Sequence, residues 1–288
     1  MRVTESMVSL DVLRGLRTAF RERLELHRQL ATGKKLNVPS DGPADAAAAS
    51  RYRSEVRRGD QYERNAAEVR AWLEAQDSAL GLATDALHRA RELAVLGSSG
   101  TVSQAQRLAL AEEAAQLFGH LVQVANTLFG GRYLFGGSRT LLEPFAADGT
   151  YLGDAAPLER EVAPGVVVAL GLDGGSVLGP ALAAVKDLEV ALRSGDLDAV
   201  SAALGALDGA LDRLLSCRAA VGARTNRVEA AQDAVSEASY SARELLAQVE
   251  DADLPLVATL LSAAEANYRA ALRAGAGLVR VSLLDFLG

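Results

Sequence analysis

Few residues of this sequence have types and spacings that could do chemistry. Gly33-Lys34 suggests a phosphate-binding loop, but Arg28 stands where a Walker A motif needs glycine, and Lys35 stands where it needs serine or threonine. The glycine-rich stretch at 130–137 lacks G-x-G-x-x-G spacing and is interpreted as a turn. These patterns predict neither a nucleotide site nor a dinucleotide cofactor.

The histidines and the cysteine do not form a metal-binding or nucleophilic pattern. The three histidines lie on separate predicted helices without a local partner ligand, at His27, His88 and His120. Cys217 has no neighbouring histidine or lysine that would activate it, and it is interpreted as a core residue. A single cysteine also excludes an intramolecular disulfide and a zinc site built from cysteines. Since no carboxylate pair or catalytic triad stands out, we expect no metal and no enzymatic activity.

Two clusters of charged residues are interpreted as structural. The acidic residues Glu250, Asp251 and Asp253 lack the spacing of a calcium-binding loop, and we expect them to cap the last helix, with Asp253 as its N-cap. The arginine cluster predicts a solvated helix face, and its alternative is an intersubunit salt-bridge surface; its members are Arg51, Arg53, Arg57 and Arg58.

The composition excludes several classes of protein. The 288 residues carry a formal net charge of −7, which argues against nucleic acid or an anionic membrane surface as the main partner. No run of about eighteen residues is apolar, so no membrane span is predicted. Met1–Leu10 has no apolar core, and we expect no cleaved Sec signal peptide. A hydrophobic fraction of 49% with 5% aromatic residues favours thin helical contacts over a thick globular core.

Seven-residue repeats indicate which elements organise the chain. Between residues 66 and 94, apolar residues recur seven apart in two interleaved rows, with one polar interruption at Gln76. A second set spans residues 110–128, and a third spans 200–249, where one of the two rows becomes polar over 218–239. Narrow apolar stripes of this kind predict long helices in a coiled-coil bundle.

Between these helices the sequence predicts breaks and a small β-rich insert. Residues 97–100 separate the first two long helices, Ser103 is the predicted N-cap of the second, and Gly130-Gly131 is predicted to end it. Valine runs and glycine-rich turns after that point favour strands. The predicted elements are strands at 150–152, 158–162 and 166–170, a turn at 173–175, and a returning helix at 182–192.

Both ends of the chain are amphipathic. Apolar residues repeat there at helical spacing, and each segment is long enough for a helix of about 30 Å or more. Such helices are marginal when alone in water, so they must pack on each other or on a neighbouring subunit. We predict that their apolar stripes are an assembly interface between subunits, and that an intramolecular bundle is the alternative. The predicted interface comprises Met7, Leu10, Leu13, Phe20, Leu24, Leu256, Leu260, Ala263, Ala270, Ala274, Val281 and Leu284.

The connector after the first helix carries helix-end signals. Gly33 suits the position just past a helix C-terminus. Asp41 or Gly42 is predicted to cap the following helix, and Pro43 suits its first turn. The connector therefore predicts a sharp passage from one helix to the next.

These segments resemble the bacterial flagellin family over both termini and both helical arms. Stretches general to the family are Met1–Thr4, Ala31–Pro43 and Asp253–Leu287. The stretch Gly131–Thr140, with its Arg-Tyr-Leu-Phe-Gly-Gly, and the ending Leu-Leu-Asp-Phe-Leu are more typical of the branch that joins the hook to the filament. Gly42 departs from the family pattern, in which a second aspartate is more usual, but glycine also tolerates a capping position.

The resemblance implies a fold and a domain organisation. The expected fold class is mainly α, with an elongated coiled-coil helical bundle formed by the N- and C-terminal segments and a small β-rich insert. The inner assembly core would comprise 1–42 and 254–288, and the bundle arm 43–140 and 181–253. The outer β-rich domain would comprise 141–180.

The resemblance also implies a structural role in the bacterial flagellum, as a junction ring between the hook-associated zone and the flagellin filament. The implied partners are other copies of the chain, the first hook-associated protein on the hook side, flagellin on the filament side and an export chaperone. Export through the flagellar type III pathway without a cleaved signal would place it outside the cell. The alternatives are a flagellin filament subunit and, from another class, a secreted coiled-coil regulator or effector.

Overall fold

The computed structural model describes the backbone of residues 5–156 and 158–287, and the side chains at Met7, 10–156 and 158–276. Within these residues long helices dominate, and the predicted fold class, mainly α with a small β-rich insert, is confirmed. In the described part no helix is long and apolar enough to cross a membrane. The elements are α1 Glu5–Thr32, a 3-10 turn Pro39–Asp41, α2 Pro43–Gly97, α3 Gln104–Ala125, β1 Leu128–Phe129, β2 Arg132–Tyr133, β3 Glu159–Ala163, β4 Val166–Ala169, α4 Gly174–Val177, α5 Gly179–Ser194, α6 Leu197–Glu250 and α7 Leu254–Leu287.

The chain divides into two compact units. Residues 1–58 and 239–288 form the terminal unit, and residues 59–238 form the central unit. Helices α2 and α6 contribute residues to both units, since the boundaries fall within these two helices. The three-part division expected from the sequence stays a prediction.

The core of the central unit follows the seven-residue repeats. On α2, Leu73, Leu80 and Leu87 are fully buried, and the row of α6 from Val200 to Val235 is buried as well. In the partner row of α6, the polar residues Arg218, Thr225 and Gln232 are half-buried and Ser239 is buried. Arg218 donates from Nε and Nη2 to the two carboxylate oxygens of Asp77 on α2, at 3.0 and 3.2 Å.

Gln76, the polar interruption in the α2 repeat, ties the helix to the insert. Its side chain is fully buried, and Nε2 donates to the carbonyl oxygens of Leu134 at 3.2 Å and Leu170 at 2.8 Å. Trp72, one turn earlier, donates from Nε1 to the same Leu170 oxygen at 3.3 Å. Buried carbonyls need donors, so a glutamine in this row pairs the Leu134 carbonyl and shares that of Leu170 with Trp72, although its own buried Oε1 has no partner among the described residues.

Replacing Gln76 by leucine tests this assignment. The change places an apolar residue at every position of this heptad row, so coiled-coil packing alone would predict a more stable fold. Because it leaves the Leu134 carbonyl without its side-chain donor and the Leu170 carbonyl with Trp72 alone, we expect the free energy of unfolding to fall by about 1–2 kcal/mol in urea titrations. The exposed Gln61→Leu on the same helix is the matched control and should stay within about 0.5 kcal/mol. A more stable Gln76→Leu would contradict the anchoring role.

The insert differs from its sequence prediction in three places. Helix α3 ends at Ala125, and Gly130-Gly131 instead forms the tight turn of the β1–β2 hairpin, with φ of +56° and +78°. Thr150–Leu152 is not a strand, since Tyr151 makes one isolated bridge to Phe145. The predicted turn after Asp173 is the short helix α4, because the Asp173 carboxylate accepts from the amide of Gly175 and caps it.

The other elements of the insert and its flanks agree with the sequence. Strands β3 and β4 pair antiparallel, with an irregularity between Glu161 and Ala163. Ser103 caps α3 by accepting from the Gln106 amide at 3.3 Å, and the Gln106 side chain accepts from the Ser103 amide at 2.9 Å. The residue after the glycine-rich stretch, Ser138, is held by a carboxylate of the insert. Asp154 accepts from the amide and the hydroxyl of Ser138, both at 2.7 Å.

Candidate assembly surface

The terminal helices α1 and α7 pack as an antiparallel pair. The rings of Phe20 and Tyr268 lie 5.9 Å apart, and His27 Nε2 lies 3.7 Å from Glu265 Oε1. Toward the other end of the pair, a Cβ built on Gly275 would lie 3.2 Å from Val12 Cγ1. Rising numbers on α1 therefore meet falling numbers on α7.

The seam of this pair has its own seven-residue spacing. On α7 the buried residues are Val257, Leu261 and Ala264, followed by the buried Gly275. The partly buried residues of α1 at the same spacing are Val12, Leu16, Ala19, Arg23 and Leu26. These seam residues were not predicted from the sequence, although their heptad spacing indicates them.

The predicted assembly residues whose side chains are described are exposed, and all of them except Phe20, which contacts Tyr268, lie outside the seam. Exposed fractions are 54% at Leu10, 38% at Phe20 and 46% at Leu260. Val281 and Leu284 fall in α7 but outside the residues whose side chains are described. The other members are exposed too: Met7, Leu13, Leu24, Leu256, Ala263, Ala270 and Ala274. A row of large apolar side chains on a protein surface indicates a binding site for another macromolecule. The structure therefore leaves this surface open for contact with another subunit, and its role in assembly stays a prediction.

The exposed stripes of α1 and α7 face opposite sides of the pair. With 3.6 residues per turn, the α1 stripe lies about 120° from the seam in one rotational sense, and the α7 stripe about 105° in the other sense. His27 and Glu265 are both displaced from the seam in the first sense, and they meet on one side of the pair. Stripes displaced in opposite senses therefore emerge on opposite sides, and the pair can contact two neighbours at once.

A buried carboxylate joins the terminal pair to α2 and α6. Glu250, the last residue of α6, is 2% exposed and forms ion pairs with Lys34 and Arg53, with 2.7 Å from Arg53 Nη2 to Glu250 Oε2. Burial raises the pKa of Glu250, but hydrogen bonds and charge from Lys34 and Arg53 outweigh it and hold the pKa below its ordinary value. The Glu250 carboxyl group is therefore ionised at neutral pH.

The backbone around Glu250 makes the same connection. The carbonyl oxygen of Glu250 accepts from the amide of Lys35 at 2.8 Å, and the amide of Ala252 donates to the Gly33 oxygen at 2.9 Å. Gly33 takes the left-handed conformation expected past a helix end, with φ of +71°. Residues after α1 and before α7 thus meet at one point.

Two sequence interpretations change at this junction. Glu250 was expected to cap the last helix, but its buried carboxylate pairs with Arg53, whose own side chain is exposed, as expected for a solvated helix face. Asp253 is the N-cap of α7 as predicted, since it accepts from the Leu256 amide at 3.1 Å. Asp41 does not cap α2: its carboxylate accepts from the amides at 37 and 38 and from Arg28. These hydrogen bonds, that to Val38 first, lower the pKa of Asp41.

The remaining candidate groups stay apart. Among the described residues no three histidine, cysteine or acidic side chains are placed to hold a metal ion. Cys217 is half-buried on α6, and burial raises the pKa of its thiol, which disfavours the reactive thiolate.

Comparison with known proteins places these features in context. Residues 3–140 match the model of the bacterial flagellin N-terminal helical region. Flagellar hook-associated protein 3 of Escherichia coli K12 is 27% identical over 283 residues, covering 88% of this chain and 89% of that protein. The flagellar filament 31.3 kDa core protein of Treponema maltophilum is 26% identical over 233 residues, covering 78% of each.

Among solved structures, the crystal structure of Bacillus cereus FlgL is similar to this fold. The TM-score is 0.62 at 24% identity, and the match covers 70% of this chain and 100% of that one. At this level of identity the likeness establishes the fold alone. The long helices with a small β-rich insert are thus an architecture already seen in a solved protein.

Proposed function

Because the chain belongs to the bacterial flagellin family, we propose that it is a structural component of the flagellum that joins the hook-associated zone to the flagellin filament as a junction ring. The family resemblance predicted from the sequence is confirmed by the model match and by the relatives. The observation that carries the junction role is the match to hook-associated protein 3, which spans nearly the full length of both chains.

The proposed mechanism is differential packing of the terminal helices. The α1–α7 seam holds the two helices together, while one exposed apolar stripe remains on each of two opposite sides. Burial of such stripes against neighbouring subunits removes apolar area from water and stabilises the assembly. Neighbours on the two sides need not be alike, so the same subunit can contact the hook-associated zone and the filament.

The proposed partners follow from this role. They are other copies of the chain within the ring, the first hook-associated protein on the hook side, and flagellin on the filament side. An export chaperone would shield the apolar terminal helices before assembly, with the C-terminal helix as its expected docking segment. We propose an extracellular location in the flagellum, reached without a cleaved signal peptide, and no catalytic role.

Deletion of the gene tests the junction role. A strain without this protein should make hooks that lack filaments and release flagellin into the medium, because nothing adapts the hook end to the filament lattice. Electron microscopy of the cells and immunoblotting of the medium measure the two effects, and the intact gene supplied in trans should restore filaments. Normal filaments in the deletion strain would contradict the proposal.

The second candidate is a filament subunit, which the match to the Treponema maltophilum filament protein favours. A filament subunit polymerises with itself and is present in far more copies than a junction protein. Purified protein that grows long filaments on seeds of its own would support this candidate. Protein that stays soluble, yet binds to hook-basal bodies and then accepts flagellin, would support the junction role.

A further inference from the structure

A charged side chain lies in the apolar seam between α1 and α7. The guanidinium carbon of Arg23 lies 5.3 Å from the ring centroid of Phe20 and 4.9 Å from that of Tyr268. Its Nε is buried and has no hydrogen-bond partner among the described residues. Two aromatic faces thus hold this cation where a carboxylate would be usual.

We propose that Arg23 sets the register of the α1–α7 pair. Tyr268 occupies one row of α7 seam residues, with Leu261 one heptad before it and Gly275 one heptad after it. Sliding α1 by one heptad moves it about 10 Å along the seam. Leu261 or Gly275 then replaces Tyr268 beside Arg23, and the guanidinium loses its second aromatic face while the buried Nε stays in the seam.

The other residues of the seam give registers that differ by one heptad nearly the same packing. Small and aliphatic residues repeat every seven positions, as in Val12, Ala19 and Leu26 on α1, so a shifted seam would also be apolar. The contact between His27 and Glu265 is partly exposed, with 53% and 35% of the two side chains accessible, and polar contacts at such sites contribute little. A single polar residue in a coiled-coil seam is an effective way to fix register, because wrong registers leave it unsatisfied.

Register matters because it aligns the exposed stripes of the two helices. A one-heptad slip would displace Leu260 and its neighbours relative to Leu13 and its neighbours by about 10 Å. The inference concerns contacts within one chain and does not depend on the flagellar role. It assigns to Arg23 a positioning function that neither the family match nor the relatives' names supply.

Disulfide trapping in the full-length protein tests the register. In a Cys217→Ser background, Val12→Cys with Gly275→Cys reports the observed register, and Ala19→Cys with Gly275→Cys reports a slip of one heptad. With Arg23 present we expect only the first pair to cross-link under mild oxidation. In Arg23→Leu the ratio of first to second product should fall about tenfold or more. Arg23→Lys keeps a cation and should restore most of the ratio.

A matched variant separates register from stability. Leu26→Ala weakens the same seam without touching the cation, so it should lower the yield of the first pair without producing the second. The proposal is overturned if Arg23→Leu still gives the first pair alone, if Leu26→Ala produces the slipped product equally well, or if the first pair fails to cross-link with Arg23 in place.

Discussion

Replacing Leu260 by aspartate is expected to block incorporation of the protein into flagella while leaving the monomer folded. Leu260 lies on the exposed stripe of α7 and not in its seam with α1, and it is 46% exposed, so the isolated chain loses little packing. In the proposed assembly the carboxylate would be desolvated against an apolar neighbour, which costs at least about 3 kcal/mol per contact and lowers affinity about a hundredfold or more. Immunoblotting of purified flagella from a complemented deletion strain measures incorporation, and circular dichroism measures helicity.

Leu108→Asp is the matched control for this prediction. Leu108 on α3 is 43% exposed, close to the value for Leu260, but it belongs to the central unit and not to the predicted surface. It should therefore be incorporated normally. Complete loss of helicity in Leu260→Asp would mean that the stripe is intramolecular core, and normal incorporation of Leu260→Asp would remove this stripe from the assembly surface.

The helical core was predictable because each long helix repeats its own signal many times. Leu73, Leu80 and Leu87 stand seven apart, and each independently indicates the same buried face. A single wrong residue hardly weakens such a pattern. The helix ends at Gly33 and Ser103 were predictable for a related reason, since caps depend on residues only a few positions apart.

Contacts between distant segments were not predictable in the same way. The role of Gln76 depends on the carbonyls of Leu134 and Leu170, and that of Glu250 on Lys34. No local pattern marks these pairs, because the polar side chain and its partner meet only after the helices have packed. A polar residue within an apolar row is the one available signal, and it indicates that a partner exists without indicating which.

In the terminal helices, the sequence pattern did not show which apolar stripe packs within the chain. Helix α1 carries two apolar stripes, one through Val12 and Leu16 and another through Leu10 and Leu13. Amphipathic spacing identifies both as contact surfaces but does not rank them. The structure assigns the first to the seam with α7 and leaves the second exposed, so packing on α7 and an assembly surface are not alternatives for this helix.

Replacing Glu250 by glutamine is expected to loosen the junction between the terminal pair and the ends of α2 and α6. The change keeps the shape but leaves Lys34 and Arg53 without their buried counter-charge. Losing one partner of a fully buried ion pair costs about 3–5 kcal/mol. Because both cations are about half exposed, we expect about 2–3 kcal/mol, seen as roughly 30- to 150-fold faster hydrogen exchange at the amides of Lys35 and Ala252.

The pH dependence of this effect distinguishes the charge from the shape of Glu250. The pKa of Glu250 is lower in the folded chain than its ordinary value of 4.5, so the unfolded chain binds the proton more readily. The stabilisation is therefore complete above about pH 5 and is lost as the pH falls through the folded pKa. The stability difference between the wild type and Glu250→Gln should shrink over that range, whereas the exposed Glu244→Gln on the same helix should differ little from the wild type at any pH. A difference that persists unchanged in acid would mean that the carboxylate charge does not hold this junction.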